Sequence, residues 1–440
     1  MANIFFIILY LLLPNVLPAQ FILVLFTIHC ILIFLPYTNG KENIANPISL
    51  FILGAILVNI GNYMLIDIIG TSKNMSYSYV VPEFVAKATQ IWCISCTLTV
   101  IGYQSVKNKS LPAIDLVIKK SSTLKTIFYI LLAVNILQVL EIRLFTISVI
   151  AKFIGIANLI GILFFSQLGA KSGKKSYQGY AVTLFVTQTY IALFTSYLRI
   201  QLILPTLLLF MGYFIGKKDI KYVFSYRIIP FLILFGLYAS VFKTLGGLRS
   251  NFYYAFMPNP MAAKSYSNDE PIEEKGNSHA VLDRSANLAQ LTCVVNLVEK
   301  NGFYNGAASA PLIIALIPRF LWPEKPKIEI GRWFALEIGV AYMNEQGVIN
   351  NSINMTVPGE LYLDFGWIGV VLGSLLIGAF IAALWNATKF YSSEYNILGI
   401  LFGGYLLFLC FIGIGVDLQV IITITSLYLS FLIVKKISNR

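Results

Sequence analysis

Apolar runs recur along most of the chain, and short polar breaks separate them. A helix needs about 20 apolar residues to cross a bilayer. Twelve runs meet or approach that length: 4–17, 20–36, 47–69, 82–103, 124–140, 144–168, 179–197, 200–216, 227–242, 366–387, 396–416 and 418–434. The first two are short and read as a hairpin or a tilted pair. The pattern predicts an all-α polytopic membrane protein with about 12 transmembrane helices.

One stretch, 246–365, breaks this rhythm. It divides the chain into an expected bundle of about nine helices over 1–245, a large loop over 246–365 and about three further helices over 366–440. Inside the loop, Leu288, Leu291, Val295 and Val298 recur at helical spacing behind a candidate cap at Asp283 or Ser285, which predicts an amphipathic helix. The apolar segment 311–321 is too short to span and is expected in the interface or under the loop. The Asn-rich stretch 339–355 reads as irregular. Gly369 and Gly373, like Gly399 and Gly403, have the spacing of close helix packing.

Composition agrees with the pattern. Hydrophobic residues make up 58% and charged residues 12%, against about 25% charged in soluble domains. The net charge of +12 reads as cations that orient membrane segments rather than as a nucleic-acid surface. Seventeen Lys and Arg fall in alternate short loops and the C-terminal tail, among them Lys107, Lys109, Lys171, Lys217, Lys389 and Lys435. The intervening short loops hold only Lys73, Arg143 and Arg199. This asymmetry predicts that both termini are cytoplasmic and that 246–365 lies on the outer side. Met1-Ala2-Asn3-Ile4 carries no positive charge beyond the terminus, so the first run is expected to be a retained span. Of the cysteines, only Cys293 lies in the loop, so no structural disulfide is expected. Cys93-x-x-Cys96 lies inside a span and reads as packing.

An ionisable residue within a span is a functional candidate by default, because burying it in lipid is costly. Glu83 and Lys87 have the spacing of an i,i+4 pair. Arg143 and Lys243 fit cations that reach up to the interface. Lys152, about 12 Å of helix inside its span, and Arg199 are harder to place against lipid and are candidates for an anionic site. Arg249, Arg284, Arg319 and Lys325 in the loop extend the cationic set, and Glu337, Glu360 and Asp364 add carboxylates. Several cations at one membrane face suit an anionic lipid headgroup or a polyprenyl diphosphate. Cations beside a diphosphate leaving group, with a carboxylate to take a hydroxyl proton, are sufficient for glycosyl transfer. The loop has no Asp-x-Asp pair or His/carboxylate cluster, so neither a metal nor another cofactor is expected.

Pro318-Arg319-Phe320-Leu321-Trp322-Pro323-Glu324-Lys325-Pro326 resembles the "PR-x-hydrophobic-WP-x-KP" signature of bacterial oligosaccharide repeat-unit polymerases, the Wzy-type O-antigen and capsule polymerases. Gly359-Glu360-Leu361-Tyr362-Leu363-Asp364-Phe365-Gly366 resembles their "GE-x-Y-x-x-FG" segment. Thr195-Ser196-Tyr197-Leu198-Arg199, and Arg284 before the loop helix, are similar to arginine positions that recur in such proteins. The resemblance implies a GT-C-like glycosyltransferase of the bacterial inner membrane. Its substrates would be undecaprenyl-diphosphate-linked oligosaccharides at the periplasmic face, and transfer would be metal-independent and inverting. Carried over residue by residue, Arg199, Arg284 and Arg319 would bind diphosphate, helped by Lys325, with Lys152 and Arg249 in the same cationic set. Glu360 would be the base and Asp364 the runner-up. Membrane lipid and a polysaccharide chain-length regulator are the implied partners. Two other readings stay open: an O-antigen ligase-like enzyme, for which His279 near Arg284 is the relevant residue, and a flippase for the same lipid-linked sugars.

Overall fold

A computed structural model describes residues 2–13, 17–38, 46–69, 80–117, 121–139, 148–191, 199–217, 287–310, 322, 324, 330–343, 352–393, 395–412 and 419–438. These residues are helical throughout apart from loops, and no strand occurs among them. The helices are α1 (Ala2–Leu12), α2 (Ala19–Thr38), α3 (Pro47–Ile69), α4 (Val85–Ser105), α5 (Ser121–Val139), α6 (Ser148–Ser172), α7 (Lys175–Ile191), α8 (Arg199–Lys217), α9 (Leu288–Asn301), α10 (Ile330–Glu337), α11 (Val357–Thr388), α12 (Ile397–Ile412) and α13 (Gln419–Ser438).

Among the described residues, four helices are long and apolar enough to cross a membrane: Ala19–Tyr37, Pro47–Met64, Pro82–Ser105 and Val357–Thr388. Four shorter apolar segments accompany them: Asn3–Leu12, Ser121–Ala133, Leu208–Lys217 and Ile397–Leu407. The expected span at 227–242 lies outside the described residues.

The chain divides into two compact units. The first contains 1–115, 279–390 and 405–440. At its centre α4 and α11 run parallel in close contact. The Ser95 and Ser374 hydroxyls are 2.6 Å apart, Gly102 faces the backbone of Leu375, and Gly378 faces the backbone of Thr99. A side chain at either glycine would enter the opposite main chain, so the approach depends on small residues, as helix packing in lipid generally does. At the C-terminal ends of the pair, Asn386 Nδ2 donates to the carbonyls of Lys107 (2.7 Å) and Lys109 (2.6 Å). There the loop after α4 runs over the end of α11, where Ile114 N donates to Ala387 O at 3.0 Å. Lys435 pins the loop through Asp115 (2.6 Å) and the Ala113 carbonyl (2.9 Å). Lys107, Lys109, Lys389 and Lys435 thus gather at one end of this unit.

α9 covers the opposite end, packed on α4 and α11. Leu288, Leu291, Val295 and Val298 are buried as their spacing predicts, but so are Ala289, Thr292, Cys293, Val294 and Leu297. Burial pushes the Cys293 thiol up to about 12. The cap is not the expected Asp283 or Ser285. Asn287 holds the N-cap position, its side chain making no capping bond to the helix, and Asn62 of α3 accepts from Leu288 N at 3.1 Å. All five cysteines are free and buried.

The second unit contains 116–278 and 391–404. Within it α6 packs against α7 and α8, and α5 against α7. Asn158 donates to Asn135, which donates to Thr187 Oγ1 at 2.8 Å, joining α6, α5 and α7 by amide and hydroxyl groups. Bonds of this kind between helices are worth about 1 kcal/mol each.

Candidate functional site

The segment 357–366 was expected to end a loop just before a span. Instead it is the first part of α11. Helical geometry fails at one residue, Gly366, with φ 59° and ψ −142°, a backbone region open almost solely to glycine. The Phe303 ring lies 2.7 Å from where a β-carbon would stand there. Beyond this break the chain folds back. Leu361 lies against Gly369, and its Cδ2 is 2.5 Å from the β-carbon position of Gly373. A straight helix would hold 361 and 373 about 18 Å apart. Residues 357–365 therefore form a short helix doubled back on 367–388, and the Gly369/Gly373 pair makes room for its own preceding turn.

The C-terminal carbonyls of this short helix lose their helical partners at the break. A neighbouring turn replaces them: Tyr304 N donates to Leu363 O and Asn305 N to Asp364 O, both at 3.0 Å. Asp364 completes the joint. Its side chain is fully buried and accepts from Ala308 N (3.1 Å), Ser309 N (2.8 Å) and the Ser309 hydroxyl. Both carboxylate oxygens are spent on this turn, so the geometry gives Asp364 a binding duty toward 302–310.

Glu360 lies one turn earlier and is 1% exposed. It is engaged rather than free. Two features set its position. Gly359 lets the helix pack against α9, with Val294 3.3 Å and Leu291 3.4 Å from its β-carbon position. Thr356 caps the helix: its Oγ1 accepts from Gly359 N at 3.2 Å and its carbonyl from Glu360 N at 3.0 Å. Thr356 has φ 69° and ψ 152°, a conformation that costs a β-branched residue about 1–3 kcal/mol.

Around the doubled-back helix, the Tyr362 ring meets Phe303 and Trp367 edge to face at 6.0 and 5.9 Å. The Lys87 ammonium stands 5.6 Å from its centroid. Lys87 pairs across helices with Glu299 of α9 at 2.6 Å, in place of the expected partner Glu83. Both side chains are partly exposed, at 35% and 49%, so the pair contributes about 0–1 kcal/mol. Glu337 ends α10 and is exposed.

Of the other sequence-derived candidates, Arg249, Arg284, Arg319, Lys325 and His279 lie outside the described residues. Lys152 and Arg199 are placed by backbone in α6 and α8 of the second unit. The described part of the candidate site is therefore the joint that holds Glu360. Thr356 was not singled out from sequence, and Gly366 only as the closing glycine of the motif. A threonine two residues before a proline is a recognisable helix-start signal, whereas the break at Gly366 has no local signature.

A family profile for a domain of unknown function, DUF8712, matches residues 19–438. The chain belongs to the DUF8712 family. No curated protein and no solved structure matches it. The DUF8712 match takes in both compact units, the doubled-back helix with Glu360 and Asp364, and every cationic candidate from Lys152 to Lys325. Among the described residues of this DUF8712 chain, no three His, Cys, Asp or Glu side chains group as metal ligands would.

Proposed function

We propose that the chain is a polymerase of lipid-linked oligosaccharide repeat units, making O-antigen, capsule or a related surface polysaccharide. It would be a GT-C-like protein crossing the bacterial inner membrane about 12 times, with both termini cytoplasmic and 246–365 at the periplasmic face. Glu360 carries this reading. It is a buried carboxylate in the short helix doubled back on a long apolar one, inside the segment that resembles the polymerases' "GE-x-Y-x-x-FG" motif. Burying such a group costs several kcal/mol unless it is paired, and in membrane helices that cost usually accompanies function.

In this reading Glu360 takes the proton from a hydroxyl of the non-reducing-end sugar of an incoming lipid-linked unit. The hydroxyl oxygen attacks the anomeric carbon of the growing chain from the face opposite its undecaprenyl diphosphate. The carbon–oxygen bond to the diphosphate breaks, and the electron pair leaves with it. Arg284 and Arg319, with Lys325, supply the positive charge that the departing diphosphate needs.

The test is deletion of the gene, followed by size separation of the surface polysaccharide. A polymerase leaves single capped repeat units and no long-chain ladder. Loss of all units from the final acceptor would make the chain a ligase, and cytoplasmic trapping of lipid-linked units a flippase. Complementation with Glu360→Gln or Arg319→Ala should leave membrane protein levels intact and the ladder absent. A normal ladder from both would sink the assignment.

A further inference from the structure

We infer that Thr356 is a positioning residue for Glu360, held in a strained conformation so that its cap fixes the direction of the carboxylate-bearing turn. The inference rests on the proposed role of Glu360.

The short helix 357–365 has little of its own to define where it begins. Pro358 at its second position has no N–H to offer, and Gly359 at the third gives the backbone freedom that a side chain would remove. Thr356 removes that freedom. Its hydroxyl accepts from Gly359 N, and its carbonyl accepts from Glu360 N. Its own N–H is anchored in turn, donating to Asn354 Oδ1 at 2.8 Å. One residue thus grips both the residue before the carboxylate and the carboxylate residue itself. Thr356 is 1% exposed, so water does not compete for these bonds.

The backbone angles at Thr356 would suit glycine without strain. A glycine, however, would lose the hydroxyl that holds Gly359. Strained residues cluster where a side chain must be aimed, and this one lies a single turn from a buried glutamate. The opposite end of the short helix is fixed independently, by Asp364 and the 304–309 turn. With both ends fixed, the helix cannot rotate about its axis, and the direction of the Glu360 side chain is set in advance. Preorganisation of this kind speeds chemistry without tightening binding.

Purified, reconstituted protein given lipid-linked repeat units measures the effect. Thr356→Gly relieves the strain and removes the hydroxyl. We expect an unchanged or raised melting temperature, a KM within about twofold and a kcat lowered by about 10- to 100-fold. Thr356→Ser keeps the hydroxyl and should retain kcat within about threefold. Thr356→Val keeps the shape without the hydroxyl and should fall with glycine; it decides the matter if the glycine variant does not accumulate. Parent kcat in both Thr356→Gly and Thr356→Val, beside an inactive Glu360→Gln, would overturn this inference alone. Full activity of Glu360→Gln would remove the base and this inference with it.

Discussion

Leu361 packs against Gly373, a residue three helical turns further along the same element. This contact exists because Gly366 reverses the chain, and it makes the stretch around Glu360 a folded-back helix. The arrangement has two demands: a backbone conformation at 366 that L residues avoid, and an absent side chain at 373. Gly366→Ala meets both a strained φ and the Phe303 ring 2.7 Å away, so we expect a loss of about 2–4 kcal/mol. Gly373→Leu should evict Leu361 at a similar cost. Thermal unfolding of the detergent-purified protein measures both, and an unchanged melting temperature in both variants would contradict the fold-back.

Asp364 differs from Glu360 in what its oxygens do. Both are occupied by donors from 308 and 309. Asp364→Ala strands three donors, each at about 1–3 kcal/mol, so a loss of at least about 3 kcal/mol is expected. Asp364→Asn should lower stability less and leave the shape of the pH–turnover profile as in the parent, because in the proposed mechanism Glu360 carries the reacting proton. A profile that loses its lower limb in Asp364→Asn would exchange the roles of the two carboxylates.

The seam between α4 and α11 offers a direct check on their register. Ser95 and Ser374 hydroxyls 2.6 Å apart put the β-carbons within reach of a disulfide, which needs them about 3.5–4.5 Å apart. The Ser95→Cys/Ser374→Cys variant should cross-link under mild oxidant, leaving the five native thiols as the only ones titratable in denaturant. Adding Gly378→Leu should abolish the cross-link, because the leucine would enter the main chain at Thr99. Failure to cross-link in the glycine background would mean a different register.

What the sequence made legible follows from what the physics makes local. The run at 47–69 became α3, Pro47–Ile69, and the run at 82–103 opened at Pro82 and ended at Ser105, because apolar length and proline act within the segment itself. The loop helix was also legible from its four-residue face. Its cap was not, since Asn62 reaches Leu288 from 226 residues away. Nor was the Lys87–Glu299 pair, whose partners are 212 residues apart. Glu360 and Asp364 stand four apart on one helix and look alike in sequence. Only tertiary packing separates a carboxylate held by the 308–309 turn from one held beneath a threonine cap.

The Asp115–Lys435 bridge should make part of the stability depend on acid. The hydrogen bond from the Lys435 ammonium holds the Asp115 carboxyl below its ordinary value of 3.8; partial burial works against it, and the charges of Lys435 and Lys389 add to it. The folded chain therefore takes up this proton at a lower pH than the unfolded chain. The bridge stabilises fully above the ordinary value, and its contribution is lost as pH falls through that value toward the folded one. In Asp115→Asn the contribution is absent at every pH. The melting temperature of the parent should exceed that of Asp115→Asn at neutral pH, hold that margin down to about pH 4.5, and lose it progressively below about pH 4. The margin should also shrink in high salt, since Lys435 and Asp115 are about one quarter exposed. Other carboxylates titrate in both proteins, so the difference between the two curves is the measure. A margin that stays constant into acid would mean that the carboxylate charge contributes nothing and that the loop after α4 is held by its backbone bonds alone.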